Sequence, residues 1–173
     1  GFRGEALASI ASVCMVKLST KTENSETGYL IEASGGEIGK VQEVARVKGT
    51  TISCANLFYN TPARAKFLKK PKTEEGEITH LIEKFMLSRP EISFEYFVDD
   101  KCVYNNSSGK LEDVIYLIYG REMYDNMLKV NLAVDGVEVD GYISSPKLSR
   151  PNRSWQTLFV NNRYVENYKV SAC

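Results

Sequence analysis

The residues best suited to chemistry stand first: Gly1-Phe2-Arg3-Gly4-Glu5-Ala6-Leu7, running into Ala8-Ser9-Ile10-Ala11. Two glycines frame an arginine, and a helix-forming run follows. Such a loop turns free backbone N–H groups toward one point at a helix N-terminus, where the dipole favours an anion such as phosphate. Arg3 adds a charge-assisted contact to the same anion. Glycine turns also precede many ordinary helices, so the spacing alone leaves both readings open. Glu5 has two readings as well. It is placed either as a general base or as a carboxylate that complements the first helical turn.

Gly49-Thr50-Thr51 is the second candidate. It reads either as a hydroxyl reaching a ligand from a strand end or as a strand that starts on a permissive glycine. His80 is the only histidine, with Glu77 and Glu83 one helical turn away on either side. A metal pair fits that geometry, but no cysteine or second histidine supports it, and a surface histidine is expected. No Ser/His/Asp arrangement can be built around it. Cys14, Cys54, Cys102 and Cys173 are scattered without a C-x-x-C pair, which points to free thiols in a reducing compartment. No catalytic residue is assigned on this chain.

These candidates need elements to hold them. Residues 15–20 alternate as a strand, and Ser34-Gly35-Gly36-Glu37 joins two more. Residues 50–55 form another β-rich run. Thr61-Pro62 reads as an N-cap followed by proline at the first helical position, opening a short basic helix through Leu68. The strongest helix spans 73–89, with Ile78, Leu81, Ile82, Phe85 and Met86 at helical spacing and Pro90 as its stop. Asp99-Asp100, Asp135-Gly136 and Asn161-Asn162 each separate two strand-like runs. A second helix carries Leu111, Val114, Ile115 and Ile118 on one face, with Gly120 as its stop. The turn-rich stretch 105–109 (Asn105-Asn106-Ser107-Ser108-Gly109) reads as a linker. The fold class is α+β.

Composition sets the bounds. The 173 residues are 43% apolar and 25% charged, as in an ordinary globular protein. No apolar run is long enough to cross a bilayer. Net charge is zero, with 22 basic and 22 acidic residues, so no whole-chain nucleic-acid signature exists. The charge is nevertheless clustered. Arg64, Lys66, Lys69, Lys70 and Lys72 lie together without an acid, and Lys147, Arg150, Arg153, Arg163 and Lys169 face Glu166 alone. Each cluster is either a solvated face or a nucleic-acid contact. Trp155 and the tyrosines are expected in core and hairpin positions rather than stacked on bases.

Three strings in this order carry a resemblance: GFRGEALASIASV, Gly49-Thr50-Thr51-Ile52, and Leu57-Phe58-Tyr59-Asn60-Thr61-Pro62-Ala63-Arg64-Ala65-Lys66-Phe67-Leu68. Together they resemble the MutL family of DNA mismatch-repair proteins, bacterial type. The likeness weakens after Pro90 and partly returns at Phe159-Val160-Asn161-Asn162-Arg163. It implies the C-terminal part of a GHKL-type α/β sandwich ATPase domain over 1–104, a linker at 105–109, and part of a transducer domain, of the ribosomal-protein-like α/β type, over 110–173. It implies ATP with Mg²⁺ in the intact parent, an ATP-dependent homodimer, and contact with DNA, MutS and a downstream nuclease or helicase. A cytoplasmic, nucleoid-associated protein without a membrane anchor is implied.

Residue by residue, the resemblance assigns Gly1, Arg3, Gly4, Glu5, Ala6 and Leu7 to the phosphate-wrapping lid. It assigns Thr50 to the GT motif near the adenine end of the nucleotide. Lys66 and Lys84 match positions implicated in DNA contact, and Arg163 and Lys169 lie near another. The family's general-base glutamate, its Mg²⁺-binding asparagine and its DxGxG motif are expected before Gly1, and its catalytic-loop lysine after Cys173. The sequence therefore reads as an internal piece without hydrolytic machinery of its own, and no tightly bound nucleotide is expected on it. Glu5 belongs to the lid and does not replace the missing base.

Overall fold

The computed structural model describes residues 4–107, 109–148 and 155–171. The chain divides into two compact units, one through Lys70 and one from Pro71.

The first unit is a helix on an antiparallel sheet. Helix α1 (Ala6–Ala11) leads into β1 (Met15–Lys21) and β2 (Gly28–Ser34). Short strands β3 (Glu37–Ile38) and β4 (Gln42–Val44) follow, then β5 (Gly49–Ala55) and the single turn α2 (Pro62–Ala65). Strand β1 is central, with β2 on one side and β5 on the other, and β3 and β4 both pair with the far edge of β2. The register is continuous, pairing Val16 with Ala33 and Cys54, Leu18 with Ile31 and Ile52, and Thr20 with Tyr29 and Thr50. Strand alternation therefore puts Val16, Leu18, Ile31, Ala33, Ile52 and Cys54 on one face. Ala11 at the end of α1 packs on that face with Cys14, Val16 and Ala33. Burial pushes the Cys14 thiol above its ordinary range, with the neighbouring Cys54 adding to the effect. Cys14, Cys54 and Cys102 are free thiols. Cys173 lies outside the described residues.

The second unit begins with α3 (Pro71–Ser88) and the hairpin β6 (Phe94–Val98) and β7 (Lys101–Asn106). Helix α4 (Leu111–Tyr124) follows, then the hairpin β8 (Met127–Val134) and β9 (Val137–Ser144). The 3₁₀ turn η1 (Pro146–Leu148), the short pair β10 (Phe159–Val160) and β11 (Arg163–Tyr164), and α5 (Tyr168–Ser171) complete it. Helix α3 packs on α4, β6 and β11. Met86 and Val114 are fully buried there, with Ile115 and Met123 nearly so. The buried stripe of α3 is narrower than its spacing suggests: Ile78, Leu81 and Phe85 are each about half exposed. Gly120 does leave the helical conformation (φ 79°, ψ 172°), but a further helical turn follows it through Tyr124. The first two residues of the 105–109 stretch are strand residues of β7. Asn106 is buried.

Among the described residues, four hairpin turns have both central residues at positive φ: Gly35-Gly36, Asp99-Asp100, Asp135-Gly136 and Asn161-Asn162. This is the twist-matched two-residue turn, which only short polar residues and glycine adopt readily. Each sits where the sequence marks a turn.

The β8–β9 ribbon is tied to α4 by polar contacts. The Tyr142 hydroxyl donates to the Glu112 carboxylate, and the Lys129 ammonium lies 3.8 Å from the same oxygen. The hydrogen bond from Tyr142 holds the Glu112 carboxyl below the usual carboxylate range, and the same bond pushes the Tyr142 phenol up to about 12. The sign follows from linkage. A depressed carboxyl stabilises above its unfolded pKa and loses that contribution as pH falls through the folded one. A raised phenol stabilises below its unfolded pKa and loses the contribution as pH rises toward 12. The unfolding-midpoint difference between wild type and Tyr142→Phe should therefore be level through neutral pH and vanish in strong acid and strong base, as read by circular dichroism.

Candidate functional site

Gly1 and Arg3 of the glycine loop lie outside the described residues. Gly4 takes φ +69°, a left-handed conformation, and a Cβ there would meet open space. The glycine is required by its backbone angle and not by crowding. Glu5 occupies the N-cap position of α1, and its own side chain makes no capping hydrogen bond. Its carboxylate is exposed, and Ala6 and Leu7 form the first turn. Glu5 therefore stands just before the first turn of α1, and no acidic residue lies within that turn.

The other end of α1 is held by the string 57–68. Asn60 Nδ2 donates to the Ser12 carbonyl at 2.9 Å, and the Phe58 N–H donates to the Val13 carbonyl at 2.7 Å. Tyr59 and Ser34 share a hydroxyl hydrogen bond of 2.7 Å. A Cβ on Gly35 would lie 2.9 Å from the Tyr59 hydroxyl, so this turn and Tyr59 are fitted to each other. Asn56 and Phe58 both take positive φ where the string meets the residues that follow α1. Phe58 is bulky, and the conformation is unfavourable for it. Thr61 caps α2 by position only, without a hydrogen bond from its side chain. The helix closes after Ala65, and the path to Leu68 continues as single turns.

Thr50 lies at the start of β5, on the same sheet face as Val16, Leu18 and Ile52. Its hydroxyl is 2.8 Å from that of Thr20, directly opposite on β1. The glycine before it takes φ +127°. Behind the sheet, Arg46 reaches across the same strand ends. Its guanidinium donates to the Ser19 carbonyl, to Ser19 Oγ at 2.7 Å and to Thr51 Oγ1 at 3.3 Å. Neither Thr20 nor Arg46 carries a motif, so sequence reasoning passes over both.

The basic candidates divide between the units. Lys66 is exposed at the C-cap of α2 in the first unit. Lys84 and Arg163 come together in the second. Both line a groove of about 520 Å³ with Phe85, Phe159, Asn162 and Tyr164, and no carboxylate belongs to its lining. The Lys84 ammonium sits 3.8 Å from the centroid of the Tyr164 ring. This cation–π contact fixes the ammonium without neutralising it. Lys169 is exposed on α5 and is not among the groove residues. Arg150 and Arg153 lie outside the described residues.

His80 is a surface histidine, as expected. Its Nδ1 is 2.8 Å from Glu83 Oε2, and no metal-holding group of three His, Cys, Asp or Glu occurs among the described residues. Glu83 has a second partner that helix spacing does not show. The Tyr104 hydroxyl donates to Glu83 Oε1 at 2.6 Å. Burial and this hydrogen bond push the Tyr104 phenol well above its usual range. The link ties α3 to β7 beside the groove lysine and makes Glu83 a brace. Trp155 lies 5.5 Å from the Tyr119 ring, a packing contact.

The family model described as DNA mismatch repair protein, C-terminal domain, matches residues 115–173. The chain is 41% identical over 172 residues to DNA mismatch repair protein MutL of Shouchella clausii, covering 99% of this chain and 26% of that protein. It is 42% identical over 168 residues to the MutL of Clostridium botulinum, covering 96% of this chain and 25% of that one. Among solved structures it resembles the Aquifex aeolicus MutL ATPase domain complexed with ADP. The TM-score is 0.81 at 27% identity, covering 97% of this chain and 65% of that one. The ATPase domain from the bacterial mismatch repair endonuclease Aquifex aeolicus MutL gives a TM-score of 0.77 at 26% identity, covering 98% and 64%.

The α+β fold, with its helix-capped antiparallel sheet, is therefore that of a mismatch-repair ATPase domain of the GHKL class. The chain belongs to the MutL family of DNA mismatch-repair proteins. It spans about a quarter of the length of the curated relatives it matches. No helix among the described residues is long and apolar enough to cross a membrane.

Proposed function

We propose that this chain supplies the nucleotide lid and a DNA-facing groove of an ATP-driven mismatch-repair switch. One observation carries the reading: α1, which follows the glycine loop, packs on the same sheet face that presents Thr50. A nucleotide lying along that face meets the loop at its phosphate end and Thr50 at its adenine end. Gly4 to Leu7, with Gly1 and Arg3 before them in sequence, offer backbone N–H groups to the phosphates. The first turn of α1, which takes no hydrogen bond from the Glu5 side chain, fits an anion there. The nucleotide supplies the phosphoanhydride bond whose cleavage resets the switch. Residues 1–104 belong to the ATPase domain and 110–173 to the transducer, joined at 105–109. The family match that begins at residue 115 supports that division.

The described residues offer no ligand set for Mg²⁺, and no step is assigned to the metal. No residue of the chain is assigned as general base. Glu5 starts α1 and points its carboxylate to solvent. The parent dimerises on binding ATP and couples DNA and MutS to a downstream nuclease or helicase. In the full-length protein, Thr50→Val should weaken a ribose-labelled fluorescent ATP analogue about 10-fold, the scale of one lost hydrogen bond in a covered site. The 173-residue chain alone should hydrolyse ATP at the background rate. Turnover by the chain at the full-length rate would sink this reading.

A second reading, a DNA- or partner-binding module without ATPase activity of its own, draws on the acid-free groove that joins Lys84 and Arg163. The two are compatible in the parent, with Lys66 as a separate contact on the first unit and Lys169 as a weaker candidate.

A further inference from the structure

Helix α1 is held at one end. Residues 4–10 are all exposed, whereas Ala11 and Cys14 are buried with Val16 of the sheet. A six-residue helix has too few internal hydrogen bonds to persist alone in water, so its position is set by what grips it. The grip falls on the carbonyls at and just after its C-terminal end, where partners within a helix run out. The Gly36 N–H donates to the Ala11 carbonyl at 3.1 Å, Asn60 Nδ2 to that of Ser12 at 2.9 Å, and the Phe58 N–H to that of Val13 at 2.7 Å. Three consecutive carbonyls are thus taken by two segments remote in sequence, the turn after β2 and the string after β5. These two segments are also joined to each other. Ser34 and Tyr59 share their hydroxyl hydrogen bond, and a Cβ on Gly35 would lie 3.5 Å from Asn60 Nδ2.

We propose that Asn60 is a positioning residue for the nucleotide lid: its amide pins the trailing end of α1 and so sets where the glycine loop ahead of the helix meets the phosphates. Of the three donors, that of Asn60 is the side chain, and the other two belong to the backbone. The Ser12 carbonyl only accepts, so the amide must present its NH₂ end there. The helix works as an arm. At 1.5 Å per residue, its first turn lies about 9 Å from the grip, and a tilt of about 10° at Ser12 moves that end by about 1.5 Å. A misplacement of about 1 Å is enough to spoil a positioned contact. Loss of the amide therefore lowers the fraction of molecules whose lid is correctly placed before nucleotide arrives. Apparent affinity falls by that fraction, and saturating nucleotide draws the lid back.

The inference rests on the reading of the glycine loop as a phosphate lid. The test uses the full-length protein with Asn60→Asp, which keeps the shape of the side chain but places an acceptor where the donor stood. The affinity for AMPPNP, an ATP analogue that is not hydrolysed, is expected to fall about 3- to 10-fold, while kcat at saturating ATP stays within about 2-fold of wild type. Amide hydrogen exchange in the same protein gives the second readout. The hydrogen-bonded amides of Ser9, Ser12 and Val13 are expected to exchange faster without nucleotide and to recover with it, while those of β1 and β5 keep their protection. Faster exchange across the whole sheet, or a kcat loss as large as the affinity loss, makes Asn60 a merely structural residue and overturns the proposal. Gly4→Ala, strained at its φ of +69°, separates the two levels. If it weakens AMPPNP and Asn60→Asp does not, the role of Asn60 fails alone. If neither variant changes the affinity, the lid reading fails and takes the inference with it.

Discussion

Charge reversal at Lys84 and Arg163 together is expected to weaken binding of the protein to DNA by roughly 10- to 100-fold at low salt. The argument is electrostatic. Each side chain that neutralises a phosphate releases condensed counterions, at about 0.9 in the slope of log affinity against log salt for duplex DNA. Removing two such contacts should flatten that slope by about 1.8, and the added negative charge lowers affinity further. The pair is suited to the work because both side chains line one groove whose walls carry no carboxylate. Lys84 is additionally held over the Tyr164 ring, so little freedom is lost when it meets a phosphate. The loss should be the same for DNA of any sequence, because phosphate contacts position without reading bases. Salt titrations of full-length wild type and the double variant decide the matter. Unchanged slopes would remove the groove from the DNA-binding surface.

Met86→Ala is expected to cost about 2–5 kcal/mol of unfolding free energy, the cost of emptying a fully buried methionine site. Met86 is 0% exposed, at the point where α3 packs on its neighbours. Truncation removes most of a side chain and leaves a cavity that two packed helices cannot close. Phe85, the next residue, is 48% exposed, and Phe85→Ala should cost much less despite the larger side chain. Urea unfolding of both variants, followed by circular dichroism, measures the difference. A smaller loss at Met86 than at Phe85 would mean that the core of the second unit lies elsewhere.

Local chemistry was the legible part of the fold. All four two-residue turns were marked by Gly, Asp or Asn pairs, because left-handed backbone excludes most other residues. Strands β1, β2 and β5 of the first unit are legible in alternation, in the Gly35-Gly36 turn and in the β-rich run after Gly49, whereas the three-residue β4 leaves no signal of its own. Burial was less legible. Leu81 and Phe85 have the spacing of a core face and yet are half exposed, since periodicity tells which residues share a side but not how wide the covering element is. The clearest gap is Glu83. Helix spacing pairs it with His80, whereas a shorter hydrogen bond, 2.6 Å against 2.8 Å, comes from Tyr104 on β7. The site divides the same way. The glycine loop and Thr50 stood out as strings, while Thr20 and Arg46 did not. Their importance comes from strand register and from a side chain crossing behind the sheet, and neither leaves a motif.

The pairing of β1 with β5 has a consequence for how the first unit assembles. The Gly35-Gly36 hairpin closes over two residues. The β1–β5 ladder closes over the whole excursion 22–48, with β2, β3 and β4 inside it. Chain entropy opposes closure more as the loop grows, and contacts of long sequence separation are the slow ones to form. Thr50 therefore depends on the most non-local strand contact in its unit. The threonine read as the nucleotide's partner is set in place by topology, after the hairpins that a two-residue turn can make on its own.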